Sequence, residues 1–301
     1  YNPAGLARVK EKRVDFVPLM VMANKESMDF VKDVLDVDYD DVAAVANMLK
    51  DYIGDPLHAE FSIYPSYTMP NFTFGGYVHT SFDAIASNPV IPELNLVAHV
   101  DVGVVFGLAH TIFYDRLQFG LAGRFFYRVD EEASYTALEL SQNEFDIDVD
   151  TMGKGYNLMI DVGFIYNIPS YTNINPRIGL AVNDISLVET GDATRNPTTL
   201  TLSAGISPSF YGINTDIIVD IRDVTRAYDQ DDDWLKRINV GAEMRFLYDV
   251  IALRAGLHQG YFAAGFGLDF KVLSLYYAYY KEEIGEYAGQ KSYTRNALEL
   301  V

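Results

Sequence analysis

Along most of the chain, apolar and polar residues alternate one by one. Leu94, Leu96, Ala98, Val100, Val102, Val104, Phe106 and Leu108 share one parity, while Asn95, His99, Asp101, Gly103 and Gly107 share the other. A period of two sustained that long marks an extended strand, because successive side chains point to opposite faces. The rhythm recurs from Leu117, where Phe119, Leu121 and Phe125 oppose Gln118, Arg124 and Arg128. From Tyr156, Leu158, Ile160, Val162 and Phe164 oppose Asn157 and Asp161; from Ile213, Ile217, Val219 and Ile221 oppose Asp216, Asp220 and Arg222. Ile238, Val240, Ala242 and Met244 oppose Arg237, Asn239, Glu243 and Arg245, and Phe262, Phe266 and Leu268 oppose Gly265 and Asp269. The polar parity therefore carries charge.

Two architectures use such strands: a soluble sheet with its apolar face buried inside, and a membrane barrel with that face turned to lipid and charge in a watery lumen. Strand length separates them, since soluble strands average about 5–6 residues whereas a tilted membrane strand needs about 9–11. The pattern predicts strands at 13–22, 57–67, 71–82, 94–112, 116–129, 155–168, 174–184, 197–210, 213–223, 235–247, 250–257, 261–270, 272–282 and 291–301. That count is even. Connections after the odd-numbered strands are mostly long (23–56, 83–93, 130–154, 185–196, 224–234, 283–290), with 258–260 the exception, and those after even-numbered strands are a few residues each. Short turns on one rim and long loops on the other match an outer-membrane barrel. The expected fold is all-β: a single-domain, 14-stranded antiparallel transmembrane β-barrel occupying 13–301 with a helical outer loop. Its lumen lining would comprise Glu60, His79, His99 and Asp101; Arg124, Arg128, Asp161 and Arg177; Asp216, Asp220, Arg222 and Arg237; and Glu243, Arg245, Arg254 and Asp269. Opposite charges on neighbouring strands should pair, because an unpaired charge is costly where water is scarce.

The longest loop is not irregular. Met28, Val31 and Leu35, then Val42, Val45, Met48, Leu49, Tyr52 and Ile53, keep helical spacing on either side of Asp36–Asp41, which predicts two short amphipathic helices within 27–54. A helical cap over the mouth follows. It reads either as a lid or landing site for an apolar ligand, or as a helix pair that simply buries its stripe on the barrel rim.

Composition narrows the chemistry. The 301 residues carry 23 basic and 42 acidic side chains, a formal charge of −19, which argues against a nucleic-acid partner. There is no cysteine, so disulfides, thiolate metal sites and a cysteine nucleophile drop out. No apolar run reaches the eighteen residues of a helical span, and no leader pattern is visible at Tyr1–Ala4. Asp36, Asp38 and Asp40 resemble the start of a calcium loop, but Asp41 replaces its glycine and Asn47 its closing glutamate. Asp146, Asp148 and Asp150, with Asp229, Asp231, Asp232 and Asp233, read as solvated loop charge. The five histidines, His58, His79, His99, His110 and His258, show no metal-ligand spacing. His99 and Asp101, two apart on the lumen parity, are the one pair with acid–base potential, and a structural hydrogen bond is the simpler reading. Neither an enzyme, a metal nor a cofactor is expected.

The opening Asn2, Pro3, Ala4, Gly5, Leu6, Ala7 resembles the NPA signature before the first strand of FadL-type outer-membrane proteins. Leu253 to Gln290 and Pro176 to Ile185 are similar to segments of that wider group, which includes PorV-like scaffold relatives. The resemblance implies a fourteen-stranded barrel in the bacterial outer membrane, plugged by an N-terminal hatch, that passively takes up hydrophobic or amphipathic molecules. It makes residues 1–12 a periplasmic, hatch-derived segment, and outer-membrane lipid, a hydrophobic ligand and an envelope protein the expected partners. In transporting members, ligands leave sideways at the third strand. Here that strand holds Gly75 and Gly76 opposite Pro65, residues that favour a bulge and remove a ladder donor. They mark either a lateral gap or ordinary curvature of the wall. The rival functional expectation is a scaffolding barrel that docks a secretion or envelope component without transport.

Overall fold

The computed structural model describes residues 2–114, 116–142, 152–170, 173–210, 212–228, 233–270 and 272–301. Fourteen wall strands run in chain order. β1 comprises Arg13–Asp15 and Leu19–Ala23, and β2 comprises Pro56–Ile63 and Ser66–Met69. Each is interrupted beside a proline, Pro18 or Pro65, which has no N–H for the ladder. Then follow β3 (Phe72–Ser87), β4 (Glu93–Ile112), β5 (Leu117–Thr136), β6 (Gly153–Asn167) and β7 (Arg177–Glu189). β8 (Thr199–Ile206 with Ser209–Phe210), β9 (Ile213–Ile221), β10 (Ile238–Phe246) and β11 (Ile251–His258) come next. β12 (Tyr261–Asp269), β13 (Ser274–Glu283) and β14 (Ser292–Leu300) complete the set. Each pairs antiparallel with the next, and β14 returns to β1 through Asn296↔Ala23 to Leu300↔Leu19. The sheet is a closed barrel, so no long edge is left unpaired.

The parity argument holds in three dimensions. Val100, Val102, Val104, Phe106 and Leu108 are exposed on the outer face of β4, with Ile217 and Val219 on β9, Leu253 and Leu257 on β11, and Phe262 and Phe266 on β12. The opposite parity meets across the inside, as when Arg124 on β5 pairs with Asp161 on β6. The wall is uneven: β3 to β6 hold 15–20 residues each, β8 to β14 only 8–10. At about 3.3 Å per residue and a tilt near 40°, some ten residues cover the roughly 25 Å apolar band of such a barrel. The first group therefore projects beyond it.

That surplus height explains where the helices lie. α1 (Lys25–Asp36) starts at Asn24, whose side chain accepts the Ser27 N–H, and α2 (Val42–Asp51) starts at Asp41, whose side chain accepts the Ala43 N–H. A short α3 (Ala137–Ser141) follows β5, closed by a reciprocal capping box of Thr136 and Glu139. Phe30, Val45, Leu49, Tyr52 and Leu140 form one buried cluster with Leu57, Ala84, Ala86, Leu94 and Leu96. These last five belong to the outward parity of β2, β3 and β4. The hairpin thus lies on the outside of the barrel: it is no lid over the mouth but a helix pair burying a stripe on the wall, and on α1 that stripe is Phe30 and Val34, since the expected Met28, Val31 and Leu35 are exposed. Above the apolar band the strands keep their greasy outer face, which needs cover, and Ala84 and Ala86 are small enough for helices to approach. Each fully buried Leu or Val there contributes about 1.5–3 kcal/mol.

Candidate functional site: the lumen

The lumen has a filled side, formed by β3 to β7, and a hollow side, formed by β8 to β14. At the bottom of the filled side sits the N-terminal segment. Pro3–Arg8 makes a 3-10 turn, with the Asn2 side chain capping the Ala4 N–H and donating to the carbonyls of Phe164 (3.0 Å) and Leu180 (3.1 Å). Pro3 and Ala4 are buried. They fit because Gly107, Gly120 and Gly163 occupy lumen positions of β4, β5 and β6: a Cβ there would overlap Leu6, Pro3 and Ala4, or Asn2 respectively. The sequence shows Gly107 on the polar parity but not the seat that the three glycines carve; their clustering at nearly one level of three adjacent strands was the available signal.

Above this seat, Arg124 bridges Asp161 (3.4 Å) and Asp184, whose own N–H donates to Asp161 (2.8 Å). Tyr77, Phe126 and Met159 form a small apolar layer across β3, β5 and β6. Next, Arg128 grips Asp101 with two bonds of 2.7 Å, both side chains being 7% exposed. Its remaining arm donates to the Thr194 carbonyl (2.9 Å) and Asn196 (3.0 Å), and Asp130 accepts the Thr194 N–H (2.9 Å). The segment 190–198 is thereby drawn inward. Gly155 leaves room for the Thr190 carbonyl.

A chain of acids and imidazoles runs beside this stack. His58 Nδ1 lies 2.7 Å from Asp83, its Nε2 3.8 Å from Glu60, and Glu60 is 3.5 Å from His79, which bonds Ser62 at 2.8 Å. The His99 ring lies 5.3 Å from that of His79. Asp101 is taken by Arg128, so the structure brings His99 and Asp101 together without making them an acid–base pair. Among the described residues no group of three or more His, Cys, Asp or Glu is arranged to hold a metal.

On the hollow side the charges lie flat against the wall. Asp216 accepts from Arg177 (3.0 Å) and Arg245 (2.8 Å), and Glu243 accepts from Arg245 and Arg254 at 2.6 Å each. Asp269 bonds Ser274 (3.0 Å) and Tyr276 (3.4 Å). Each pair lies within one strand or joins strands at most two apart, so none crosses the barrel. Over this belt the inner positions are Gly241, Gly256, Gly265 and Ala278, and a cavity of about 2360 Å³ opens. Asp220, Arg222, His258 and Glu282 line its upper part, and Val272, Ser274 and Val301 line it at the short-turn rim. A second, smaller cavity of about 600 Å³ sits at the long-loop end between β2, β3, β4 and β5.

Two expectations, one residue and one gap, differ in the structure. Arg237 does not line the lumen: it closes a 3-10 turn, Trp234–Arg237, just before β10 and is buried against the carbonyl and carboxylate of Asp223. Burial works against the Asp223 charge, but the N–H groups of Ala227 and Tyr228 and the Arg237 guanidinium hold its carboxyl below the usual range. The gap expected at Pro65, Gly75 and Gly76 is bridged. Pairing runs in register from Ile63↔Val78 to Ser66↔Gly75, and the Gly76 N–H donates to the Pro65 carbonyl at 2.9 Å. A Cβ at Gly75 would crowd that carbonyl at 2.6 Å, so this glycine accommodates the bend in β2. Of the acidic loop runs, Asp146, Asp148, Asp150, Asp229, Asp231 and Asp232 lie outside the described residues, while Asp233 caps the 3-10 turn.

No protein-family model matches the chain, and no curated protein matches it. Solved barrels resemble it. They include the CymD monoaromatic hydrocarbon channel (12% identity, 99% of this chain and 90% of that one, TM-score 0.49). A deltaS2S3 mutant of the TodX monoaromatic hydrocarbon channel is similar at 9% identity, over 99% of this chain and 91% of that one, TM-score 0.48. LpxR from Salmonella typhimurium is similar at 10% identity, over 94% of this chain and 98% of that one, TM-score 0.40. The closed wall itself rests on the chain's own strand pairing.

Proposed function

We propose that this chain is a bacterial outer-membrane channel that passively admits hydrophobic or amphipathic small molecules, in the manner the NPA resemblance implies. The carrying observation is the hollow side: about 2360 Å³ of lumen reaching the short-turn rim, inside a wall whose outer face is apolar. Solutes would pass from the long-loop end down the face of β9 to β13. With β2 and β3 hydrogen-bonded at Pro65 and Gly76, the route runs along the lumen and not through the wall. The belt of Asp216, Arg245, Glu243 and Arg254 suits molecules with a polar head better than pure hydrocarbons.

Uptake of a fluorescent amphipath into proteoliposomes, alongside single-channel conductance, tests this. Gly241→Trp fills the chamber, since nothing lies within 4 Å of a Cβ there. It should cut both readouts about fivefold or more. A wild-type barrel that passes neither solute nor ions is no channel.

A second reading, a scaffold that docks an envelope protein, is favoured by one feature. Met28, Val31 and Leu35 form an exposed apolar stripe on α1, beside the arc of Phe30 and Val34 that packs on the wall. Stoichiometric co-purification of one partner, lost on changing this stripe to serines, would support that reading.

A further inference from the structure

The smaller cavity breaks the barrel's own rule. Most lumen positions on β3 and β4 below this level are polar or small, Tyr77 and Val105 excepted, and here Ile85 and Val97 share the inward parity. Ile284 joins them to give a mostly apolar pocket of about 600 Å³. That volume falls in the roughly 300–1,000 Å³ range of small-molecule sites. Val97 is 49% exposed and Ile284 44%, so the apolar surface is open to a visitor. The polar lining is one-sided. Asp83 and Glu132 reach the pocket, with Asn95 and Ser134, and no lysine or arginine lines it. Asp83 is already answered by His58 at 2.7 Å and feels Arg295 nearby. Glu132, opposite Val97 across the β4–β5 ladder, makes no ion pair or hydrogen bond among the described residues.

We infer that this pocket binds an organic cation: an apolar body held by Ile85, Val97 and Ile284, with an ammonium or amidinium group facing Glu132. Charge complementarity selects the occupant. A carboxylate ligand would meet Glu132, which has no lysine or arginine beside it in the lining, whereas a cation gains a partner that Glu132 lacks. The chain's formal charge of −19 adds a long-range field of the same sign, which draws cations toward the outer rim. This deepens the channel reading, naming the solute class first met on the outer side.

The test uses two fluorescent probes of like size and opposite charge, 1-naphthylmethylammonium and 1-naphthoate, titrated against the full chain in nanodiscs of zwitterionic lipid. The ammonium should saturate one site while the carboxylate shows no saturable binding. Glu132→Gln, which keeps the volume, should raise the ammonium Kd about tenfold, the size of one charge-assisted contact. Val97→Trp should abolish binding by filling the pocket. Folded barrel mobility in unheated gels shows that each variant is intact. Naphthoate binding as tightly as the ammonium, or an ammonium Kd unchanged in both variants, overturns the inference. Liposome uptake is scored separately: loss of uptake in Gly241→Trp with ammonium binding intact leaves the pocket standing. No saturable ammonium binding by the unaltered chain, with its uptake intact, rejects the pocket and spares the channel.

Discussion

The two sides of the cylinder share one alternation and differ in what their inner parity carries. On the side of β3 to β7, large residues (Tyr77, Phe126, Met159) stand over glycines that seat the N-terminal turn, and Arg128 and Asp101 bond in a place water hardly reaches. On the side of β8 to β14, glycines and alanines stand over ion pairs that lie along the wall, and the space above them is open. The difference teaches that a charged lumen is not by itself an open one. Pairs that reach across the lumen to a loop, as Arg128 does to Thr194 and Asn196, close it; pairs satisfied sideways leave a passage.

The sharpest way to break the comparison is to remove one charge from each side. Asp101→Asn leaves the buried Arg128 charge without its carboxylate, with only the neutral acceptors of Thr194 and Asn196 in contact, and should cost about 3–5 kcal/mol of stability in detergent unfolding. Overpacking the seat comes next. Gly120→Val drives a side chain into Pro3 and Ala4 and should cost about 1–3 kcal/mol, with protease sensitivity appearing in residues 2–12 and nowhere in the hollow side.

A smaller effect tests the outer helices. Burial, and then the Asp33 carboxylate that its hydroxyl meets at 2.5 Å, push the Tyr52 phenol above its ordinary range. With the folded value raised, the hairpin's stability is fully present below the unfolded pKa near 10 and is lost as pH climbs beyond it. Tyr52→Phe should cost about 1 kcal/mol and erase that alkaline sensitivity, read by proteolysis of 25–54 between pH 8 and 11.5. The smallest effect belongs to the hollow side. Arg254→Gln breaks a pair whose members are 39% and 23% exposed to the lumen and should change stability by less than about 1 kcal/mol. A loss equal to that of Asp101→Asn would mean that the two sides are energetically alike.

Much of this was legible residue by residue. The strand count and the alternation of faces follow from parity, and Arg237 falls outside that pattern because it ends a 3-10 turn one residue before β10 begins. The two helices were legible in their spacing. Their position was not: Val45 and Leu49 say that a stripe must be buried, but on α1 the buried residue is Phe30 and not Met28, Val31 or Leu35, and the partner surface, Ala84 to Leu96, looks in sequence like any other lipid-facing wall. Similarly Pro65 and Gly75 announce a distortion, and whether it opens or bridges depends on one hydrogen bond to a carbonyl.

Where each side chain points relative to its neighbours is a local property of extended backbone, so inside and outside could be assigned from the order of residues alone. Which inward groups meet, and how much empty space they leave, depends on strands far apart in the chain arriving at the same level. The seat under Pro3, the inward turn of 190–198 and the hollow beside Gly241 are all of that second kind. They exist only once the cylinder has closed, because until then the surfaces that shape them do not face each other.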